Sequence, residues 1–333
     1  MEKNILRLTI AFLILTALPV NPKNLKFAVV PKYYSLFFDE SGNGCKDLAA
    51  QIEGVECIYR GPEKGDVRLQ DKIIEQLINE GVDGIAVAVT ESNFLARSSL
   101  QKARNAGIPI VTYDSDFDEP TLEKYGDLRL AYIGTDNFEL GRALGQQLKK
   151  LRPEGGTLLI QTGRPDSANL NLRIMGLRSA LSGKTYQDSP GKILQNDLGW
   201  TEVRSPIPNY DNINRSVKQL ESVLRVKPNR VDAFVAVGGW PQNNEGQYRK
   251  MIEPFQDKLD NKEIVLVISD ASDIQLRMLG DHLAHVNIGQ SPYEMGRQII
   301  STLLKIVEKQ NYEKVIYTPL RYCTPVNYVT CSK

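Results

Sequence analysis

Histidine is nearly absent from this chain, with two among 333 residues. It is the commonest general base and metal ligand near neutral pH, so most hydrolase and zinc-enzyme chemistries lose their usual residue. His282 and His285 lie three apart, but no third ligand with zinc-like spacing accompanies them. An excess of one charge is missing too: 41 Lys and Arg stand against 40 Asp and Glu, without blocks of like sign. A nucleic-acid groove or a polybasic membrane surface needs concentrated positive potential, so neither partner is expected. There is no G-x-S-x-G elbow and no dinucleotide fingerprint. Ser182-Gly183-Lys184-Thr185 imitates the end of a phosphate loop, but Arg178 stands where the leading glycine belongs and the segment follows a helix. No cofactor is expected.

Long apolar runs are also lacking. The longest, over residues 8–20, follows Lys3 and Arg7, ends at Asn21-Pro22 and falls short of the roughly 20 residues that span a bilayer. It reads as a secretory signal over 1–22, although no clear small-x-small cleavage pattern follows and an uncleaved anchor stays open. No cysteine follows the run to carry a lipid. Export makes disulfides permissible, and closeness in sequence pairs Cys45 with Cys57 and Cys323 with Cys331. Four buried free thiols are the alternative.

What is present is alternation. At 41% hydrophobic, the chain is long enough for two cores, and no Pro/Ser-rich linker divides it. Short apolar runs at Phe27-Ala-Val-Val30, Val55-Glu-Cys-Ile-Tyr59, Ile85-Ala-Val-Ala-Val89 and Ile110-Val-Thr-Tyr113 read as strands. Helical patterns over 38–52, 67–80 and 94–105 separate them. A second series has strands at 130–133, 157–160, 192–194, 233–237, 264–268 and 286–288, with helices over 137–151, 172–181, 213–226 and 292–309 and an extended tail over 315–329. This is an α/β chain of two doubly wound parallel-sheet domains.

Ligands of such sheets bind beyond the carboxyl ends of the strands. There the sequence places Tyr33-Tyr34-Ser35-Leu36-Phe37-Phe38, Asp114-Ser115-Asp116, Asn169, Asn171 and Arg173, Gly238-Gly239-Trp240, Asp270 and Gln290. Aromatic faces with amide, carboxylate and guanidinium groups suit a neutral polyol. No nucleophile, base and orienting group stand together, so an enzyme is not expected.

The ordered set Ser35-Leu-Phe-Phe38, Leu77-Ile-Asn-Glu-Gly-Val-Asp-Gly-Ile85, Gly107-Ile-Pro-Ile-Val-Thr-Tyr-Asp114, Ile133-Gly-Thr-Asp-Asn137, Arg173-Ile-Met-Gly-Leu177 and Val267-Ile-Ser-Asp270, with Gln290 to Gly296, resembles the periplasmic sugar-binding proteins of the ribose and galactose type. The resemblance runs from about residue 26 to 320 and implies two lobes joined by three crossings near Tyr132, Gln290 and Thr318. The first lobe would comprise 25–132 plus 291–317 and the second 133–290 plus 318–333, with the ligand between them. It further implies that Phe37 and Phe38 stack on a sugar and Asp114 takes paired hydroxyls. Asn171, Trp240, Asp270 and Gln290 would be contacts of the second lobe. Ser115 stands where ribose binders often have arginine, and Ser35 where they often have asparagine, so ribose is not the expected sugar. Asp116, Asn169 and Arg173 complete the candidate site, with a structural turn or brace as the alternative for Asp116 and Arg173.

The expected protein is a periplasmic monomer that closes on a mono- or small oligosaccharide. It would deliver the sugar to a membrane permease of ABC type or, alternatively, signal through a membrane kinase or chemoreceptor. A DNA-binding regulator would need a helix-turn-helix ahead of Phe27, where only the apolar leader stands.

Overall fold

The computed structural model describes residues 24–226 and 230–331, so the leader expected over 1–22 lies outside the described residues. The apolar runs form strands because they are buried on both faces, where β-branched side chains pack well. The chain first lays down β1 (Leu25–Val30), β2 (Val55–Tyr59), β3 (Gly84–Val87), β4 (Ile110–Tyr113) and β5 (Ala131–Gly134). It then builds a second sheet from β6 (Gly156–Thr162), β7 (Gln195–Asp197), β8 (Trp200–Glu202), β9 (Ile207–Pro208), β10 (Ala233–Ala236), β11 (Val265–Ser269) and β12 (Val286–Gly289). Finally β13 (Val315–Tyr317) returns to the first sheet and β14 (Arg321–Cys323) to the second. The sheet orders are β13-β5-β4-β3-β1-β2 and β14-β12-β11-β10-β6-β8-β7, with β9 beside β6. The first sheet is parallel throughout. In the second, β14 and β7 run antiparallel to their neighbours.

Helices cover both faces of each sheet. In the first lobe, Leu36–Ala49 and Pro292–Val307 pack on one face and Val67–Asn79, Ser92–Arg97 and Ser99–Asn105 on the other. In the second, Asn137–Leu151 and Ala168–Ser182 cover one face and Ile213–Leu224, Glu245–Ile252 and Asp273–Gly280 the other. Burying one Val, Leu or Ile in such a core contributes about 1.5–3 kcal/mol. Two helix pairs approach at backbone distance through reciprocal glycines. A Cβ at Gly44 would collide with the Tyr293 carbonyl and one at Gly296 with that of Ser41. In the second lobe, Gly141 meets the Arg173 carbonyl and Gly176 that of Phe138.

The chain changes sheet after β5, after β12 and after β13, and these three crossings are bonded together. Thr318 N donates to the Gly134 carbonyl at 2.7 Å. Thr135 Oγ1 donates to Gln290 Oε1 at 2.8 Å, and Ser291 Oγ to the Pro319 carbonyl at 3.0 Å.

Local expectations failed in three places. The helix expected over 94–105 breaks at Ser98, because Asp71 of the neighbouring helix accepts from Ser98 Oγ at 2.8 Å and from Ser99 N at 3.0 Å. The strand expected over 192–194 begins at Gln195 instead, where a hairpin with β8 supplies its partner. The tail is extended only to Cys323, after which turns lead back to Cys331. Both cysteine pairs are disulfides: Cys45 to Cys57 and Cys323 to Cys331, with Cα separations of 6.0 and 5.6 Å. Closing loops of this length contributes about 3 kcal/mol in the chain-entropy model. Among the described residues, no helix is long and apolar enough to cross a membrane.

Candidate functional site

The parallel strands of both sheets point their carboxyl ends toward one cleft, and the loops that follow β1, β4, β6, β10 and β11 line it. Two loops have the same backbone device. Asp114, after β4, and Asp270, after β11, take left-handed conformations with φ of 58° and 70°. Aspartate tolerates this region better than most residues. Asp114 N donates to the Ile133 carbonyl at 3.1 Å and Asp270 N to the Ile288 carbonyl at 2.8 Å, so each residue is bonded to the neighbouring strand as it turns. An asparagine then holds each carbonyl: Asn137 that of Asp114 at 3.4 Å, and Asn287 that of Asp270 at 2.9 Å.

The cleft is nearly closed, with about 60 Å³ of interior space between the lobes. Among the expected residues, it is lined by Ser35, Phe37, Phe38, Asp114, Asn169, Arg173, Trp240, Asp270 and Gln290. Phe38 belongs to the first-lobe core and stands edge-on to Tyr33 and Tyr113, whereas Phe37 is only partly buried. Ser35 caps its helix, accepting from Phe38 N at 3.4 Å. Trp240 fits a slot left by Gly163 and Gly238, where any Cβ would strike the indole.

Three expected residues stand apart from the lining. Ser115 is buried behind it and donates to Asn169 Oδ1 at 3.3 Å. The Asp116 carboxylate turns away, accepting from Thr112 Oγ1 at 2.6 Å and pairing with Arg129 at 3.1 Å. Asn171 folds back on its own loop and donates to the Pro165 carbonyl at 2.9 Å. Both side chains find partners nearer than the cleft.

Lys32, Tyr33, Asp211 and Asn243 also line the cleft. A polar residue in a loop has no periodic signal, and only the position of Lys32 two residues past β1 marked it. Lys32 is 8% exposed, and its Nζ donates to Asn169 Oδ1 at 3.3 Å across the cleft. Burial pushes its ammonium pKa down, against Asp114 and Asp211. Burial raises the Asp114 carboxyl above its ordinary range, opposed by Lys32 and Arg173. Asp211 is raised by burial as well, opposed by Lys32 and Arg164 and by the neighbouring Trp240 and Tyr33.

Most polar groups in the cleft are already engaged. Arg173 donates to Asn137 Oδ1 at 2.8 Å, to the Val237 carbonyl at 2.9 Å and to Gln290 Oε1 at 2.9 Å. Gln290 Nε2 donates to Asp270 Oδ1 at 2.7 Å, and Gly239 N to Asp270 Oδ2 at 2.9 Å. The Asp114 carboxylate, by contrast, accepts no hydrogen bond from the described residues while lying 4% exposed. Two oxygens with about four lone-pair sites thus face an enclosed space with their acceptor capacity free.

A larger depression of about 1300 Å³ lies at the opposite end of the first sheet. One lobe alone lines it, and two of its charged residues, Arg104 and Asp127, pair with each other. His285 belongs to the second-lobe structure: Nδ1 accepts from Leu266 N at 3.0 Å while Nε2 meets the Leu259 carbonyl at 3.1 Å. Among the described residues, no cluster of His, Cys, Asp and Glu could hold a metal.

Comparison with known proteins bears on this geometry. The profile of the family described as "Periplasmic binding protein domain" matches residues 27–311. A xylose/arabinose-binding protein of Sulfolobus acidocaldarius is 29% identical over 192 residues, covering 56% of this chain and 46% of that protein. The D-allose-binding periplasmic protein of Escherichia coli is 31% identical over 157 residues, covering 46% and 50%. The chain spans about half the length of these curated relatives. Among solved structures, an ABC transporter solute-binding protein from Burkholderia graminis in complex with D-arabinose is 27% identical, with a TM-score of 0.77 over 92% of this chain and 97% of that one.

Proposed function

The chain belongs to the periplasmic binding protein domain family, and from that premise we propose that it is an extracytoplasmic binding protein whose lobes close on a small neutral polyol, a sugar, for delivery to an ABC-type permease. The observation that carries this reading is the Asp114 carboxylate: buried, raised by that burial, and free of protein donors in a cleft lined from both lobes. A pair of adjacent sugar hydroxyls supplies the donors it lacks. Phe37 and Trp240 offer apolar faces for the C–H side of the ring. Members of this family are binding proteins rather than enzymes, in keeping with the expectation drawn from the sequence.

The mechanism is a hinge. The three crossings carry the motion between lobes, and a ligand that bonds to both lobes at once favours the closed state by its differential affinity. Lys32 and Ser115 already bridge to Asn169 across the lobes, so closure needs the ligand to add only part of the contact energy. Two disulfides suit an oxidising compartment outside the cytoplasm. The protein acts as a monomer, and transport is preferred to signalling because relatives at this level of identity include an ABC transporter binding protein.

A thermal-shift screen of pentoses, hexoses and inositols tests the reading. A bound sugar at 100 times its dissociation constant adds about 2.7 kcal/mol of stability. A shift with an amino acid or nucleoside, and with no polyol, overturns it.

A further inference from the structure

Past Phe37, Asn243, Asp270 and Gln290 the cleft continues into a second chamber that shares these four residues as its threshold. The chamber has about 300 Å³ of interior space and is the roomier of the two. Both lobes line it. Leu36, Asp39, Glu40 and Asn43 share one face of the first-lobe helix, at offsets of three, four and seven residues. The loop after β11 and the first turn of the Asp273–Gly280 helix form the opposite wall.

The hydrogen-bonding capacity left in this chamber is mainly acceptor. Arg321 forms part of the floor, but its donors are engaged: Nε and Nη2 bond the Gln290 carbonyl at 3.1 and 2.8 Å, and Nη1 bonds the Cys331 carbonyl at 3.3 Å. Glu40, Asn43, Asn243 and Asp273 form no side-chain hydrogen bond or ion pair with the described residues while lining the space. The lining carboxylates Asp39, Glu40, Asp270 and Asp273 outnumber the Arg321 guanidinium they face, so the chamber disfavours an anion and accepts hydroxyl donors. Leu36 is 53% exposed here, close to Phe37 and Ile274, and gives the same wall an apolar face. A hydrophobic face with free acceptors around it suits another sugar ring.

We propose that this chamber is a second sugar subsite, so that the protein takes an oligosaccharide of at least two rings, one against Asp114 and the next beside Glu40 and Asn43. The proposal rests on the reading of the first space as a sugar site. Both lobes would grip the second ring, and closure on a single ring would leave the chamber filled with water.

Isothermal titration of monosaccharides and of disaccharides built from them tests it, on the protein and on a Glu40→Ala, Asn43→Ala double variant. Both positions are exposed on a helix where alanine is well tolerated, so the fold is kept. A disaccharide is expected to bind at least tenfold more tightly than its component monosaccharide, and the double variant to lose that advantage while the monosaccharide affinity is unchanged. Monosaccharides that bind as tightly as every disaccharide, or a variant that affects both classes alike, overturn the subsite. Failure of every saccharide to bind overturns the sugar reading of the cleft itself.

Discussion

Asp114 and Asp270 occupy matching places in the two lobes and differ in what their carboxylates touch. Both end a buried parallel strand in a left-handed turn, and an asparagine holds each carbonyl. Asp270 has both oxygens bonded within its lobe and crossing, to Gly239 N and Gln290 Nε2. Asp114 has neither oxygen bonded to the described residues, and it faces Lys32 in the cleft. One module therefore serves two purposes. In the second lobe the carboxylate fixes the cleft wall to the hinge, while in the first it accepts no hydrogen bond from the described residues.

The same substitution at both places breaks the comparison most directly. Asp114→Asn keeps the left-handed preference and the shape of the side chain but removes the charge that accepts two hydroxyls. Sugar affinity is expected to fall about 100-fold by titration. Apo melting should change little, because removing a buried carboxylate is offset by leaving the Lys32 ammonium with Asp211 as its remaining counter-charge. A large loss of apo stability would show that Asp114 is a structural turn residue. Asp270→Asn has the opposite signature. One of its amide hydrogens must face Gly239 N–H or Gln290 Nε2–H, so urea unfolding of the apo protein should show a loss of about 1–3 kcal/mol. Unchanged stability would place Asp270 with Asp114 as a free ligand contact.

The pH dependence is the smallest effect and the sharpest in sign. The folded Asp114 carboxyl lies above its unfolded value, so as pH falls through the folded value the residue gains a proton and loses acceptor capacity. Sugar affinity should decline about tenfold for each pH unit below that point. For apo folding the sign reverses: Asp114 binds its proton more tightly when folded, so its contribution to stability grows as pH falls from the folded value toward the unfolded one. Titrations of the protein and of Asp114→Asn across this range separate the two, since the variant should show the flatter affinity profile. Equal slopes would assign the pH dependence to another group, with Asp211 the first to test.

Legibility in the sequence followed the range of the interactions. The strands β1, β3, β4, β10 and β11 could be read because burial on both faces demands an unbroken apolar run. Asp114 and Asp270 could be found because strand ends mark the ligand side of a parallel sheet. The cysteine partners stood close in sequence, and that closeness was their signal. Asp211 carried no such mark and Lys32 only its place near the end of β1: residues from different lobes give them their surroundings. Asp116 and Asn171 were placed in the cleft for the same reason in reverse, since Arg129 and the Pro165 carbonyl are competitors that a strand-end rule does not weigh. Ser98 is a third case, where Asp71 on another helix overrides a continuous helical pattern.

The sequence by itself determined two α/β lobes, their strand-end loops and the polar and aromatic residue types there, because hydrophobic period and side-chain type act locally. Only the tertiary structure decided which carboxylates remain free. That depends on whether Gln290, Gly239 or Arg129 reaches the carboxylate first, and contacts between residues far apart in the chain are set by packing rather than by any local pattern.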